Sequence, residues 1–225
     1  MRKALFLSVF ALAGLVSFNA SAADELGEPG QLALGAERVF GVNLWSTTVT
    51  PDGGDDINSS GTSVGLVWNA DTPTAFAIPR FALDYMVADG VSLGGSIGYY
   101  SKSSKADQAT ATGVEKDVDQ PGEHGFVLAP RVGYVIPVTD GVDFWVRGGI
   151  TYFSSTMEGD PDDTEVSGLA LGAEGALVVS PIAGFGLQVG PTIDFGLSGT
   201  TKQGDAESDV TARNFGLNAG LVGWF

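Results

Sequence analysis

Residues 211–225 alternate with a period of two: Phe215, Leu217, Ala219, Leu221, Gly223 and Phe225 share one phase, and Asn214, Gly216, Asn218, Gly220, Val222 and Trp224 share the other. Only an extended strand places every second side chain on one face. The same alternation recurs upstream. One phase carries Phe81, Leu83, Tyr85, Leu93, Ile97, Val132, Tyr134, Ile136, Val146, Ile150, Leu187, Val189 and Ile193, and the other carries Ser92, Gly94, Ser96, Gly98, Gly186, Gln188, Gly190 and Thr192. A strand face turned to water is rich in Lys and Glu, whereas a face of Gly, Ser and Thr suits the inside of a narrow barrel that side chains must fill. The apolar face is therefore the outer one. It runs for about ten residues per strand, the length a tilted strand needs to cross hydrocarbon.

The alternating stretch that ends on the aromatic Phe225 resembles the C-terminal strand of bacterial outer-membrane β-barrels. The resemblance implies an eight-stranded antiparallel up-and-down transmembrane β-barrel, similar in kind to the OmpA, OmpX and OmpW barrels. It also implies that Phe225 is read by the outer-membrane assembly machinery, and that the partners of the wall are outer-membrane lipids and lipopolysaccharide. The expected location is the outer membrane of a Gram-negative-type bacterium.

The chain in order fits this reading. An Asp-Gly dipeptide between alternating runs signals a tight hairpin. Asp89-Gly90-Val91 returns as Asp140-Gly141-Val142, with Pro79-Arg80 matched by Pro130-Arg131 at the same offset. A third hairpin surrounds 180–184. With a first strand from Leu32 and a last one to Phe225, the count is eight strands. Turns are short after even-numbered strands, and long polar segments (50–75, 102–124, 156–165, 198–210) follow odd-numbered ones, which predicts turns at the periplasmic end and long loops outside. Residues 63–68 are expected to pair with the end of the first strand. Arg38 breaks the first strand's pattern by sharing the apolar phase with Ala36 and Phe40. Either it snorkels at headgroup level, or a bulge near Gly35 resets the phase.

Residues 1–22 combine Arg2 and Lys3, an apolar run over 4–16 and the small-residue end Ala20-Ser21-Ala22, the pattern of a signal peptide cleaved near Ala22-Ala23. The expected division is a leader at 1–22, a short periplasmic lead at 23–31 and a barrel domain at 32–225 with no domain after it. Of the eleven basic residues two lie in that leader, so nine face twenty-seven acids and the processed charge is −18. Such a balance argues against nucleic acid, which requires a basic footprint. Seventeen acids against four lysines lie in the long segments, giving −13 there and suggesting loose divalent-cation association at acidic loops. The absence of cysteine removes disulfides and thiolate metal sites.

In the small-residue phase stand isolated charges: Glu37, Arg80, Asp84, Arg131, Arg147 and Glu174, with Asp194 nearer the outer end. Three arginines against three carboxylates in a tight lumen must pair, which predicts a salt-bridged plug rather than a charged channel. Catalytic motifs are weak. Gly94-Gly95-Ser96-Ile97-Gly98 matches a nucleophile elbow, but lies mid-strand instead of at a strand-to-helix turn. The single histidine, His124, is followed by Gly125-Phe126, without the nearby serine that the barrel lipid deacylases and acyltransferases use. The acid-rich 158–165 lacks the spacing of a calcium loop. No enzyme, cofactor or catalytic residue is expected. Function reduces to a structural or interaction role displaying acidic loops or, alternatively, an OmpW-like narrow conduit for small or apolar molecules.

Overall fold

The computed structural model describes residues 25–66, 75–110, 113–159 and 161–225; the signal peptide expected at 1–22 lies outside them. Among the described residues nine strands form one antiparallel sheet: β1 (Leu32–Pro51), β2 (Ile57–Leu66), β3 (Arg80–Ala88), β4 (Val91–Thr110), β5 (Gly113–Thr139), β6 (Val142–Met157), β7 (Thr164–Ile182), β8 (Phe185–Gln203) and β9 (Ala206–Trp224). Pairing of β1 with β9 closes a ring of β1 and β3 to β9, eight strands in all. The seam is long, from Ala33↔Trp224 to Pro51↔Ser208, and is extended by reciprocal backbone bonds between Leu32 and Phe225. Three turns at one end use glycine with positive φ, Gly90 (69°), Gly141 (71°) and Gly184 (73°), as tight hairpin turns require.

β2 is the expected hairpin partner of the first strand. β1 pairs with β3 only through Leu32–Glu37, and with β2 from Phe40 to Val49. The change of neighbour coincides with a bulge in which four steps of β1, from Ala36 to Phe40, face two steps of β9, from Leu221 to Ala219. Arg38 sits in it with φ 54°. Of the two expectations for Arg38 the bulge is correct, although it lies beyond Gly35 and does not reset the phase. Two extra residues preserve parity, so Gly41 and Asn43 face inward like Ala33 and Gly35. Only Arg38 itself is rotated from the lipid phase into the lumen.

The expected long loops require correction. The segment 102–124 is the continuation of β4 and β5, paired up to Thr110↔Gly113, and most of 198–210 is the paired end of β8 and β9. Twenty residues at about 3.3 Å each make β4 about 66 Å long, against about 30 Å of hydrocarbon. The hairpins therefore continue well past the membrane. These polar runs alternate polar with polar, so no hydrophobic pattern reveals the ladder, which the backbone pairing carries.

Outward side chains form a belt of exposed apolar residues on every strand of the ring, among them Leu44, Leu83, Ile97, Leu128, Ile150, Leu171, Ile193 and Leu217, each 45–58% exposed. A continuous belt of this extent is unfavourable in water and favourable in lipid. The inside is layered. At the turn end Leu26, Met86, Val135, Trp145, Val178, Val222 and Trp224 form an apolar floor. Residues 25–31 fold over that mouth: Gly30 donates to the Met86 carbonyl, Met86 to that of Gln31 and Gly90 to that of Gly27. At the hairpin end Phe76, Ile78, Val127, Phe153, Ala170 and Ala212 form an apolar ceiling. Phe76 enters it from the 3-10 turn Ala75–Ala77 and meets Phe153 edge-on, ring centroids 5.0 Å apart.

Candidate functional site

Between floor and ceiling lies a layer of charge. Arg131, on β5, reaches three carboxylates at once: Glu37 of β1 (2.7 Å), Asp84 of β3 (2.5 Å) and Glu174 of β7 (2.9 Å). Arg147, on β6, contacts Glu37 and Glu174 at 2.6 Å each and donates to Gln188 Oε1 at 2.9 Å. Every one of these side chains points inward because it stands in the lumen phase of its strand. The barrel brings side chains of six strands together, which no single stretch of sequence displays.

The expected set is thus assembled, but it is incomplete. Arg80 lies 4.0 Å from Asp194 rather than within the Arg131 group. Arg38, left aside by the alternation pattern, binds Asp194 at 2.7 Å with both side chains essentially buried. Asp194 stands nearer the outer end than Glu174, as expected, and is part of the cluster. The layer therefore holds four arginines, 38, 80, 131 and 147, against four carboxylates, 37, 84, 174 and 194, and is neutral. Arg38 and Arg80 also both donate to the carbonyl of Phe76, tying the ceiling to the ion layer. The signal for Arg38 was its violation of the apolar phase. A charge in the lipid phase mid-strand has to be turned inward, and a bulge is the means.

Beside the charges, Asn43, Asn214, Asn218 and Thr192 bond one another across β1, β9 and β8, with Asn218 donating to Thr192 at 2.6 Å and to Asn43 at 3.3 Å. Asn214 extends the network to Asp194 at 3.4 Å. Buried polar groups are inexpensive only when mutually satisfied, and this network supplies partners where arginine does not reach. Two cavities flank the cluster, about 30 and 20 Å³, each with room for a water or two.

Ser96 is a buried lumen residue on β4, whereas His124 is exposed on the outer face of β5, at the level of Ser101 rather than Ser96. The wall separates the two. Among the described residues no three His, Cys, Asp or Glu side chains converge as metal ligands.

A closed ring of eight antiparallel strands with an apolar outside, a neutral ionic interior and tight turns at one end is the fold of the small outer-membrane β-barrels. No family model and no curated protein matches the chain. Among solved structures it is similar to the outer membrane protein OprG from Pseudomonas aeruginosa, with TM-score 0.54 and 10% identity over 88% of this chain and 97% of that one. It is equally similar to the outer membrane protein AlkL in DMPC bilayers, with TM-score 0.54 and 12% identity over 92% and 96%. The likeness is one of fold.

Proposed function

We propose that this protein is a sealed barrel of the bacterial outer membrane whose working surface is its set of long acidic β-hairpins, serving a structural or interaction role in the envelope. The observation that carries this reading is the stacking of apolar floor, neutral ion layer and apolar ceiling, three layers of largely buried side chains across the lumen. Reconstituted in planar bilayers, the wild-type barrel is expected to give no stepwise conductance. Steady single-channel steps would overturn the reading.

Phe225 belongs to the same proposal. Its backbone closes the seam against Leu32, donating at 3.2 Å and accepting at 2.9 Å. Those two bonds are a small part of a ladder of sixteen paired positions between β1 and β9. Deleting Phe225 is therefore expected to lower the amount of barrel in the outer membrane several-fold through assembly, while refolding into detergent changes little. Equal membrane levels of both forms would refute the assembly role.

A second reading, a conduit for small apolar molecules, has one observation in its favour. Pairing of β3 with β4 stops at Phe81↔Ile97, so among the described residues β4 has no strand neighbour on that side beyond Gly98. The buried Ile78 and Pro79 pass there instead: a Cβ on Gly98 would lie 2.8 Å from Ile78 Cδ1 and 3.0 Å from the Pro79 carbonyl. A lateral path from the ceiling into lipid would run through this segment. Faster entry of an apolar solute into vesicles carrying the barrel than into empty ones would favour it over the sealed reading.

A further inference from the structure

The ion layer is neutral as a whole but not in its parts. The cavity of about 30 Å³ is lined by all four arginines, but Arg131 and Arg147 hold three carboxylates, Glu37, Asp84 and Glu174, whereas Arg38 and Arg80 share Asp194 alone, leaving one positive charge in excess on that side. Arg131 and Arg147 are engaged on Glu37, which lies on the far cavity, and on Glu174. Arg80 is not similarly served. Its contacts are the Phe76 carbonyl at 3.3 Å and Asp194 at 4.0 Å, and Asp194 is already held by Arg38 at 2.7 Å.

Four polar atoms on residues lining this cavity are buried without a hydrogen-bond partner among the described residues, Arg147 Nε, Arg38 Nε, Arg80 Nε and Ser96 Oγ; Arg147 Nε has the Glu174 carboxylate at 2.6 Å as an ion-pair partner, which leaves the other three unserved. All three residues are at least nine-tenths buried. A guanidinium nitrogen only donates, and a serine hydroxyl can donate, so the three atoms together call for one acceptor. A water oxygen would meet the hydrogen bonds but leave the surplus charge uncompensated in a water-poor interior, where an unpaired charge is costly.

We infer that this cavity binds a single small monovalent anion of halide size, held by Arg80, Arg38 and Ser96. The carboxylates of Asp194 and Glu174 share the cavity and set a limit on its charge: one negative charge balances the excess of one, whereas a divalent anion would overcompensate it and be too large for the space. Gly172 keeps the volume open, since a Cβ there would press on Thr151 Oγ1 at 3.1 Å and Asp194 Oδ1 at 3.4 Å. The anion completes the coupling of the ion layer to the Phe76 ceiling, because Arg38 and Arg80 hold both.

The test uses the full barrel refolded in zwitterionic micelles with ¹⁵N-labelled arginine. Sodium gluconate is replaced by sodium chloride or bromide at constant ionic strength. The expected result is a saturable shift of the Arg38 and Arg80 Nε–H resonances, with a urea midpoint higher in chloride than in gluconate. Both differences are expected to vanish in Arg80→Gln. Ser96→Ala, which removes one donor and no charge, is expected to weaken the titration several-fold in a folded barrel, and decides the matter if Arg80→Gln does not fold. Identical Arg38 and Arg80 resonances in both salts, with cross-peaks to long-lived water, would overturn the proposal in favour of a hydrated cavity. A chloride-dependent midpoint that persists unchanged in Ser96→Ala and Arg80→Gln would also overturn it, since the effect would then lie on the surface.

Discussion

Replacing Arg131 by alanine is expected to destabilise the barrel by about 3–5 kcal/mol, the usual loss when one partner of a buried ion pair is removed and the other is left uncompensated. The number of carboxylates that one guanidinium serves sets the size of the loss. Among the described residues, Arg131 is the only side chain that meets Glu37, Asp84 and Glu174 together at 2.9 Å or less. Without it, three carboxylates share Arg147, which reaches Asp84 only at 3.9 Å. Urea unfolding in micelles measures the loss. Lys202→Ala is the control, because the Lys202–Glu207 pair is half exposed at the hairpin end and exposed pairs contribute about 0–1 kcal/mol. The same variant reports on function. A truncated Arg131 also widens the lumen, so a stable Arg131→Ala barrel that conducts would speak for a gated channel, whereas a destabilised and silent one agrees with a plug.

An even larger effect is expected from Gly190→Val, which should abolish refolding of most of the chain. A Cβ at Gly190 would fall 1.8 Å from the Gly175 carbonyl oxygen and 2.9 Å from the Ala176 Cα, both backbone atoms of the neighbouring strand. Pro191 follows directly and has no N–H to give the ladder. Between Glu174↔Thr192 and Leu177↔Val189 the pairing of β7 with β8 is interrupted, and the two backbones close in on each other. A side chain can rotate away from a clash, but a paired strand cannot, so the cost exceeds the roughly 1–3 kcal/mol of ordinary overpacking. Gly148→Ala makes the comparison, since its Cβ would find nothing nearer than the Gly172 carbonyl at 3.6 Å. Folded yield on semi-native gels separates the two. Normal yield of Gly190→Val would show that β7 and β8 have freedom to part.

Much of the architecture was legible in the chain because a strand writes its two faces directly into the residue order. The lipid phase from Phe81 to Phe215, the Asp-Gly turns at 89–90 and 140–141 and the pairing of 63–66 with β1 need only the period of two and turn chemistry. The inward phase of Glu37, Asp84, Arg131, Arg147 and Glu174 follows from the same rule, and charge in a narrow lumen must pair. The polar hairpin extensions were not legible, because backbone bonding of Ser and Thr runs carries no pattern in side-chain type.

Tertiary structure alone decided which charge meets which. Depth in a barrel depends on strand tilt and register, so residues as distant as Arg38 and Asp194 become neighbours without any local signature. The bulge that turns Arg38 inward falls where β1 exchanges β3 for β2, a change of partner that a strand's own residues do not announce. The apolar floor and ceiling were hidden for a related reason. Trp145 and Phe153 share the phase of Arg147 and Thr151, so alternation assigns all four to the lumen. Only the closed ring, with residues 25–31 folded over one mouth and Phe76 inserted near the other, sorts them into apolar and ionic layers.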